Sequence, residues 1–531
     1  MISRATYRLL NVLALALLGN ISDMKSQQLD VPLNRFYTQE IERWVSRDSS
    51  AWVHTGFKPN FQSQLQVPKI HGLVKDSMLI YSKLSGVLYK HHFAEWKIDD
   101  AWLAIDPLFD FSVGDDFSDI TGYRTRMKFI NQRGAQVIGN LGKKVSFQTA
   151  FYETQVMAPL YLKEIADSNL IYPGFGRTKP YAERGYDFAF AWSTIRYRPT
   201  DWFWAEIGNS KQFIGHGYRS LLWSDAMFSS PHIDFGLQSR NGKWQYRSGY
   251  SALQSLSRVA RTDVPEAMFK RKGAMRNYVS WHPNRWLELG LFECTIIPLY
   301  DSLGTHTPPI KNLIPITGVN LVQRKSNTLL HHVLGLNWKI ILPRRMECYG
   351  QLALDDLDAA RTSWQLGWLA MDFLLPKLDL QVEWNRVASF FNSHENLLSS
   401  YSHVNQPLGH PMGGGGNEWL AIANYQRKRW FAQVKVNFIY QTTGPGSDWR
   451  SNPNESTWQT FDLVAIPNRQ VFQVDAEAGY LFNTSTNFRI GMGYTHRTQQ
   501  LIASYLTDQP QRTDYLFAFI RTNLFNRYAD F

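Results

Sequence analysis

The residues whose types suit ligand binding occur in two segments of this sequence. The first, residues 209–225, reads NSKQFIGHGYRSLLWSD and contains His216, Tyr218 and Arg219. Imidazole, phenol and guanidinium groups all form hydrogen bonds, and a guanidinium pairs bidentately with a carboxylate. The glycines on both sides of His216 allow a bend or bulge that re-aims neighbouring side chains. We therefore expect Arg219 to pair a carboxylate, which belongs either to a ligand or, more commonly, to the protein itself.

The second segment, residues 401–413, reads YSHVNQPLGHPMG and lies within a loop, 392–417, that is rich in Gly, Pro, Ser and Asn. Its candidate ligand-binding residues are Tyr401, His403, Asn405, Gln406 and His410. In a long loop, such side chains serve either a ligand or the packing of the loop itself. The sequence favours neither use over the other.

No catalytic residue, metal site or cofactor is predicted. HExxH and GxSxG motifs are absent, and the glycine run 413–416 does not lead from a strand into a helix, as a phosphate-binding loop does. His331 and His332 are adjacent, so in a strand their rings point to opposite faces. Cys294 and Cys348 are too few for a disulfide scaffold, and they either pair or remain separate thiols. An esterase or phospholipase is an alternative that no nucleophile motif supports.

Alternation of apolar and polar residues indicates the elements that position these segments. Residues 471–494 predict a β-hairpin, because successive strand side chains point to opposite faces. Its apolar face comprises Phe472, Val474, Ala476, Ala478, Tyr480, Phe482, Phe488, Ile490, Met492 and Tyr494. Its polar face comprises Gln473, Asp475, Glu477, Gly479, Arg489, Gly491, Gly493 and Thr495. Similar rows, including Tyr186, Phe188, Phe190 and Trp192, recur through most of the chain.

This recurrence predicts an all-β fold, a transmembrane antiparallel β-barrel with a polar lumen of mixed charge. No run of 18 apolar residues follows the N-terminus, which excludes transmembrane helices. Aromatic residues make up 14% of the chain, which is typical of a barrel with aromatic girdles. Short and long connections alternate, and roughly 20–25 residues per strand and connection give about 18 strands.

The N-terminus carries the pattern of an export signal. Arg4 and Arg8 precede a short apolar core at 9–18, so residues 1–26 are predicted to be a signal peptide. Residues 27–90 are predicted to form a helical periplasmic segment that plugs the barrel.

One amphipathic helix is predicted over 34–47, within that segment, and residues 91–531 are assigned to the barrel. Phe531 is a terminal aromatic after the predicted last strand, which resembles the signal that outer-membrane barrels present to their insertion machinery. The export signal and the barrel pattern together predict a multi-pass barrel in the cell outer membrane. Outer-membrane lipid and lipopolysaccharide are therefore expected partners.

The charge balance points to acidic partners. The formal net charge is +11, but the basic residues are scattered singly and form no recognised reader motif. Nucleic acid is therefore not expected, and anionic headgroups or an acidic polymer fit better.

Five segments resemble the capsule-assembly Wzi-like outer-membrane proteins of Bacteroidota, a group that includes barrels associated with gliding motility. They occur in the same order and are PLNRFY at 32–37, 209–225, WLELGLFE at 286–293, YGQLALDD at 349–356, and 401–413. The resemblance implies an 18-stranded barrel, plugged by periplasmic helices, that binds surface polysaccharide as a lectin without synthesising or cleaving it. Val404 and Gly409 depart from the bulkier residues expected there, so the polymer specificity of a relative does not carry over.

Three functions compete. The first is a non-catalytic barrel that binds or anchors an anionic capsular or exopolysaccharide through the two segments. The second is an accessory outer-membrane component of gliding motility or type IX protein secretion, with protein partners. The third is a diffusion porin. Polymer binding predicts a plugged lumen and sugar affinity, an accessory role predicts stable protein partners, and a porin predicts conductance.

Overall fold

The computed structural model describes residues 30–46, 52–61, 80–119, 127–182, 184–259, 268–307, 314–322, 329–454, 467–503, 509–522 and 525–531. Within them, eighteen long strands form one closed antiparallel barrel. They are β1 (Ala101–Asp116), β2 (Lys128–Leu141), β3 (Val145–Met157), β4 (Gly185–Tyr197), β5 (Phe203–Ser210), β6 (Ser230–Gln238), β7 (Trp244–Arg258), β8 (Phe269–Asn284), β9 (Leu287–Asp301), β10 (His331–Leu342), β11 (Met346–Asp355), β12 (Thr362–Ala370), β13 (Leu378–Val387), β14 (Gly416–Arg427), β15 (Trp430–Thr442), β16 (Asn468–Asn483), β17 (Phe488–Ile502) and β18 (Gln511–Thr522). Pairing of β18 with β1 closes the barrel. The predicted fold class and the predicted strand number are confirmed.

Short elements lie at the rims and inside the barrel. The α-helices are α1 (Arg35–Val45), α2 (Lys83–Tyr89), α3 (Leu160–Asn169) and α4 (Val319–Val322). One-turn 3-10 helices are Pro343–Arg345, Ala359–Arg361 and Leu397–Ser399. The short strands are Ala94–Ile98, Lys179–Tyr181 and Gly304–Thr305 in the barrel sheet, Phe57–Lys58 paired with Phe213–Ile214, and Ser402–His403 paired with Gln406–Pro407. No helix in these ranges is long and apolar enough to cross a membrane.

The outer face of the barrel is apolar where the hairpin pattern predicts it. Phe472, Met492 and Tyr494 are exposed on the outside of β16 and β17. Gln473 and Thr495 are buried on the inside, where both hydrogen-bond Asp475. A closed barrel leaves no unpaired strand edge, so this exterior can face lipid without exposing backbone polar groups.

Strand β4 reverses the expected arrangement. Tyr186, Phe188, Phe190 and Trp192 are buried and face the lumen. Phe190 and Trp192 pack in one apolar cluster with Tyr37 of α1, while the other two rings pack against α3. Alternation gives the two faces of a strand but not which one faces lipid, and here the lumen supplies apolar partners.

The connections separate the two rims of the barrel. One rim carries short turns such as 142–144, 285–286 and 428–429, and the other carries long connections such as 158–184, 211–229 and 388–415. We call them the short-turn end and the long-loop end. In outer-membrane barrels, the short turns face the periplasm and the long loops face the outside.

Helix α1 lies inside the short-turn end. Asn34 caps it by accepting a hydrogen bond from the Phe36 amide, and its buried face includes Tyr37 and Ile41. The Tyr37 hydroxyl donates to the Thr484 carbonyl at 3.0 Å, and Arg43 pairs Asp379 at 2.6 Å. The helix predicted over 34–47 is therefore present as a plug, whereas the predicted signal peptide, 1–26, lies outside the described residues.

The interior also contains an apolar core, which the predicted polar lumen did not include. Connections 211–229 and 388–415 fold inward and bury side chains between the strands. The core includes Leu221, Leu222, Trp223, Met227, Phe292, Val333, Phe391, Tyr401, Leu408 and Met412. Cys294 is buried in the same core, and both cysteines are free thiols.

Candidate ligand-binding site

The segment 209–225 forms the end of β5 and the start of an inward loop. Phe213–Ile214 pairs with Phe57–Lys58 of the N-terminal segment, which holds the loop against the plug. Gly215 has a φ of 146°, and a Cβ there would lie 2.6 Å from the Gln351 side-chain nitrogen. Glycine at 215 therefore allows the turn that directs the following residues across the lumen.

Arg219 is the centre of a buried ion-pair cluster. Its guanidinium contacts Glu418 of β14 at 2.7 Å and Asp530 of the C-terminal segment at 3.0 Å. Burial alone lowers the pKa of Arg219, but Asp530 and Glu418 raise it well above its usual value. Burial raises the pKa of Asp530, but Arg219 and Lys435 beside it lower it to about 2. Arg219 therefore pairs carboxylates of the protein, the commoner of the two uses expected from the sequence.

Tyr218 and His216 flank this cluster. The Tyr218 hydroxyl donates to Asp530 at 2.7 Å, and burial raises the pKa of this phenol, which keeps it protonated. The His216 Nδ1 atom lies 3.4 Å from the Thr55 hydroxyl. Burial lowers the pKa of His216 well below its usual value, so the ring is neutral. Both side chains line a cavity of about 40 Å³.

The second segment, 401–413, is bound to the protein interior at every predicted residue. Its contacts join Tyr401 to the Leu222 carbonyl, His403 to the Ser229 carbonyl at 3.0 Å, Asn405 to the Asn169 carbonyl at 3.1 Å, Gln406 to the Phe175 carbonyl at 2.8 Å, and His410 to Glu418 at 2.8 Å. Glu418 thus connects the two predicted segments, because it accepts from both Arg219 and His410. The structure places these groups in loop packing, and their predicted contact with polysaccharide stays a prediction.

The sequence did not indicate that residues 525–531 enter the lumen. Tyr528 donates to Asp225 at 2.7 Å, and Asp530 pairs both Arg219 and Lys435, the latter at 2.6 Å. The last strand ends at Thr522, and Phe531 lies beyond it and packs against the apolar core of the lumen. The one sequence feature that could have indicated this inward segment is the set of polar and aromatic residues at 525–531, after the alternation of the last strand stops.

A cavity of about 300 Å³ runs beside α1 and residues 525–531. Its wall contains side chains of β1 to β4 and β13 to β18, among them Phe431, Lys435 and Arg489, together with Tyr218 of the connection 211–229 and residues of the connection 158–184. Of the residues predicted from the sequence, Tyr218 is the one that lines it. The remaining predicted residues lie away from this space.

Two groups of buried side chains contain the residue types of a metal site, but hydrogen bonds or ion pairs already occupy their ligand atoms. In the first, both nitrogens of His54 and of His282 are within hydrogen-bond distance of a carbonyl or hydroxyl oxygen, beside Glu288. In the second, comprising Glu206, His232 and Asp234, arginines pair both acids. A ligand nitrogen needs a free lone pair, so neither group fits a metal as arranged.

Two arginines lie beside one aromatic ring at the long-loop end. The guanidinium carbons of Arg258 and Arg177 lie 4.8 Å and 6.0 Å from the centroid of the Phe269 ring. Lys270 and Arg271 follow directly in β8, and Arg271 is exposed. We call these five residues the Phe269 cluster.

The fold matches solved outer-membrane proteins. Wzi of Escherichia coli, described as an outer-membrane protein of group 1 capsule assembly and a carbohydrate-binding β-barrel, is 13% identical with a TM-score of 0.54. The alignment covers 92% of this chain and 98% of Wzi. This chain is an outer-membrane β-barrel. OprD of Pseudomonas aeruginosa also matches, at 10% identity and a TM-score of 0.43, over 81% of this chain and 97% of OprD. No family model and no curated protein sequence matches the barrel.

Proposed function

We propose that this barrel binds an anionic surface polysaccharide at its long-loop end and holds it there without cleaving it. The Phe269 cluster carries the proposal. The apolar face of a sugar ring packs on an aromatic ring, and a guanidinium pairs bidentately with a uronate carboxylate. Arg177 and Arg258 lie within 6.0 Å of the Phe269 ring, so one acidic sugar can engage the ring and a cation together.

The contents of the lumen argue against a diffusion porin. α1 lies in the short-turn end, and connections 211–229 and 388–415 meet in a buried core across the interior. Buried ion pairs, such as Arg219 with Glu418, fix these inward segments to the barrel wall. A barrel packed in this way retains a ligand at its surface more readily than it passes solutes.

Two similarities support the proposal without deciding it. Five segments resemble the Wzi-like proteins of Bacteroidota, and the fold resembles Wzi of Escherichia coli, which is described as carbohydrate-binding. The contacts proposed here involve the rim residues of the Phe269 cluster, because the residues predicted from the sequence face the interior.

Binding of a polyuronate to the purified protein in detergent tests the proposal. We expect polygalacturonate to bind and neutral dextran not to bind. Arg177→Ala/Arg258→Ala should weaken polygalacturonate binding by about tenfold or more, equivalent to ~1.4 kcal/mol. Added salt should weaken wild-type binding, because exposed charge contacts are screened.

The matched control is Arg240→Ala, which removes an exposed arginine from the turn between β6 and β7 at the short-turn end. This variant should bind polygalacturonate as the wild type does. Equal binding by the double variant and the wild type would contradict the proposal. Binding of purified lipopolysaccharide in place of the polyuronate would also contradict it, since the cluster would then be a headgroup site.

A further inference from the structure

The cavity of about 300 Å³ beside α1 has the size of a small-molecule site, since such sites span roughly 300–1,000 Å³. Lys377, Gln426 and Asn487 line it near the short-turn end, on the opposite side of the barrel from the Phe269 cluster. Residues of the connection 158–184, among them Pro159 and Phe175, line its other end, so the cavity extends through the lumen toward the long-loop end. Phe431 and Arg489, which follow directly after short turns, lie at its short-turn end, and no residue of the Phe269 cluster lines it.

The charges of this cavity do not balance. Every acid in its wall is already paired, through Glu40–Lys377 at 2.7 Å, Asp379–Arg43 at 2.6 Å, Asp475–Lys435 at 3.1 Å, and Glu477–Arg521. Arg35 and Arg489 also line the cavity, and neither has a carboxylate partner within the described ranges. Two guanidinium groups therefore face the same space without an ion pair of their own among the described residues.

Arg489 is the more exceptional of the two. It makes no hydrogen bond or ion pair with any residue that the structure describes, and its guanidinium carbon lies 5.2 Å from the centroid of the Phe431 ring. In the register of β17 and β18, Arg489 lies directly opposite Arg521. Like charges at opposite positions repel each other, and Glu477 forms its ion pair with Arg521, so a bound anion would complete the partners of this pair at Arg489.

The Phe431 ring packs against the backbone of β16 at Gly479, a position that has no side chain. A Cβ at position 479 would come within 2.9 Å of the end of this ring and 2.3 Å of the Ile490 carbonyl. Gly479 therefore permits the close approach of the ring to β16, where the ring lies beside Arg489. The result is a flat apolar surface next to an unpaired cation.

Unpaired amide donors complete the cavity. The Gln39 Nε2 and Asn424 Nδ2 atoms are buried and have no hydrogen-bond partner among the described residues. Both side chains line the cavity. Each NH₂ group can donate to a hydroxyl oxygen of a ligand.

We infer that this cavity binds one acidic sugar unit from the periplasmic side, with its carboxylate on Arg489, its ring face on Phe431, and its hydroxyl oxygens on the Gln39 and Asn424 amides. A simple inorganic anion would use the cation but not the ring or the amides. A neutral sugar would use the ring and the amides but leave Arg489 without a counter-charge. The arrangement thus selects a ligand that combines a carboxylate with a sugar ring and its hydroxyl groups.

Calorimetric titration of the full chain in detergent, with galacturonate, galactose and inorganic phosphate as separate probes, tests this inference. We expect galacturonate to bind at millimolar concentration or below, and at least about tenfold more tightly than either of the others. Arg489→Gln should lower galacturonate affinity by about tenfold or more, and Phe431→Leu should lower it by a smaller factor. Equal affinity for galacturonate and phosphate, or no galacturonate binding at all, would overturn the inference.

Stability measurements distinguish a binding role of Arg489 from a structural one. Because Arg489 has no partner and lies opposite Arg521, Arg489→Gln should leave the unfolding temperature unchanged or raise it. A lower unfolding temperature would show that Arg489 supports the fold instead. The variant Arg177→Ala/Arg258→Ala should retain the galacturonate binding that Arg489→Gln weakens, so failure of the rim site and failure of this cavity are separable.

Discussion

At the scale of residues, the barrel has apolar side chains on its outer surface and buried ion pairs in its lumen. Arg219, Glu418 and Asp530 are each at most 1% exposed and contact one another. Charges buried to this extent are tolerated when each has a partner, and removing one partner leaves an uncompensated charge. The cluster joins an inward loop, a barrel strand and the C-terminal segment.

Arg219→Ala should therefore destabilise the protein strongly. We expect a loss of about 3–5 kcal/mol in the free energy of unfolding, because Glu418 and Asp530 lose their shared cation. Urea unfolding in detergent, followed by tryptophan fluorescence, measures this loss. Arg450→Ala is the control, since its pair with Asp448 is exposed and should contribute about 1 kcal/mol or less. Similar losses in the two variants would contradict the assignment of Arg219.

Two buried histidines should make the stability depend on pH. Burial lowers the pKa of His54 and of His403 to about 4, below the ordinary value of 6.5. Between pH 6.5 and pH 4 the unfolded chain binds more protons than the folded chain does, so stability is full above pH 6.5 and falls on acidification. Each histidine should account for on the order of 2–3 kcal/mol over that window.

His403→Gln isolates one of these contributions. The amide can still accept from the Gln254 amide and donate to the Ser229 carbonyl, as His403 does. Midpoints of urea unfolding at pH 7.5 and pH 4.5 should therefore differ less for the variant than for the wild type. An unchanged difference would mean that His403 does not titrate with unfolding.

At the scale of elements, helix α1 and the two inward connections together close the lumen. α1 occupies the short-turn end, while Leu221 of one connection and Leu408 of the other share the central core. The strands pair independently of these elements through complete backbone ladders. The closure can therefore be altered without breaking the barrel wall.

Planar-bilayer recording tests this closure. The wild type should conduct little or not at all, and replacing residues 392–411 with a short Gly-Ser linker should produce stepwise currents. Replacing the exposed turn Ala359–Arg361 in the same way is the control and should stay closed. Large steady currents from the wild type would support a porin, and a closed loop variant would show that this connection is not the plug.

The sequence predicts the wall of the barrel better than its contents. Alternation along a strand reports local periodicity, so the hairpin at 471–494 and the helix at 34–47 follow from neighbouring residues. The inward aromatic row of β4 depends on α1, which is distant in sequence, and on α3 in the preceding connection, and strand alternation reports neither contact. Similarly, the contact of Asp530 with Arg219 joins residues 311 positions apart, and no local pattern indicates it.

The same limit applies to the candidate site. The residue types in 209–225 and 401–413 mark both segments as special, but they do not distinguish ligand binding from packing. The structure shows Arg219 and His410 sharing Glu418, which requires a partner on a strand that neither segment contains. Arg489 stands out for the opposite reason, because its lack of a partner is visible only once the other side chains are placed.

At the scale of the whole molecule, the two rims have different properties. The long-loop end carries the Phe269 cluster, whereas Phe431 and Arg489 lie at the short-turn end of the cavity that runs beside α1. An apolar exterior fixes this arrangement in a bilayer. We therefore propose that this closed barrel holds polymer on its outer side.

Retention of polymer by living cells tests this claim most directly. Cells in which the wild-type protein is replaced by Arg177→Ala/Arg258→Ala should release acidic polysaccharide into the medium, while total polysaccharide per cell stays constant. Cells carrying Arg240→Ala should keep their coat. The measurement is uronic acid in the cell and medium fractions. An intact coat in the double variant, or a loss of gliding or protein secretion with the coat retained, would contradict the account.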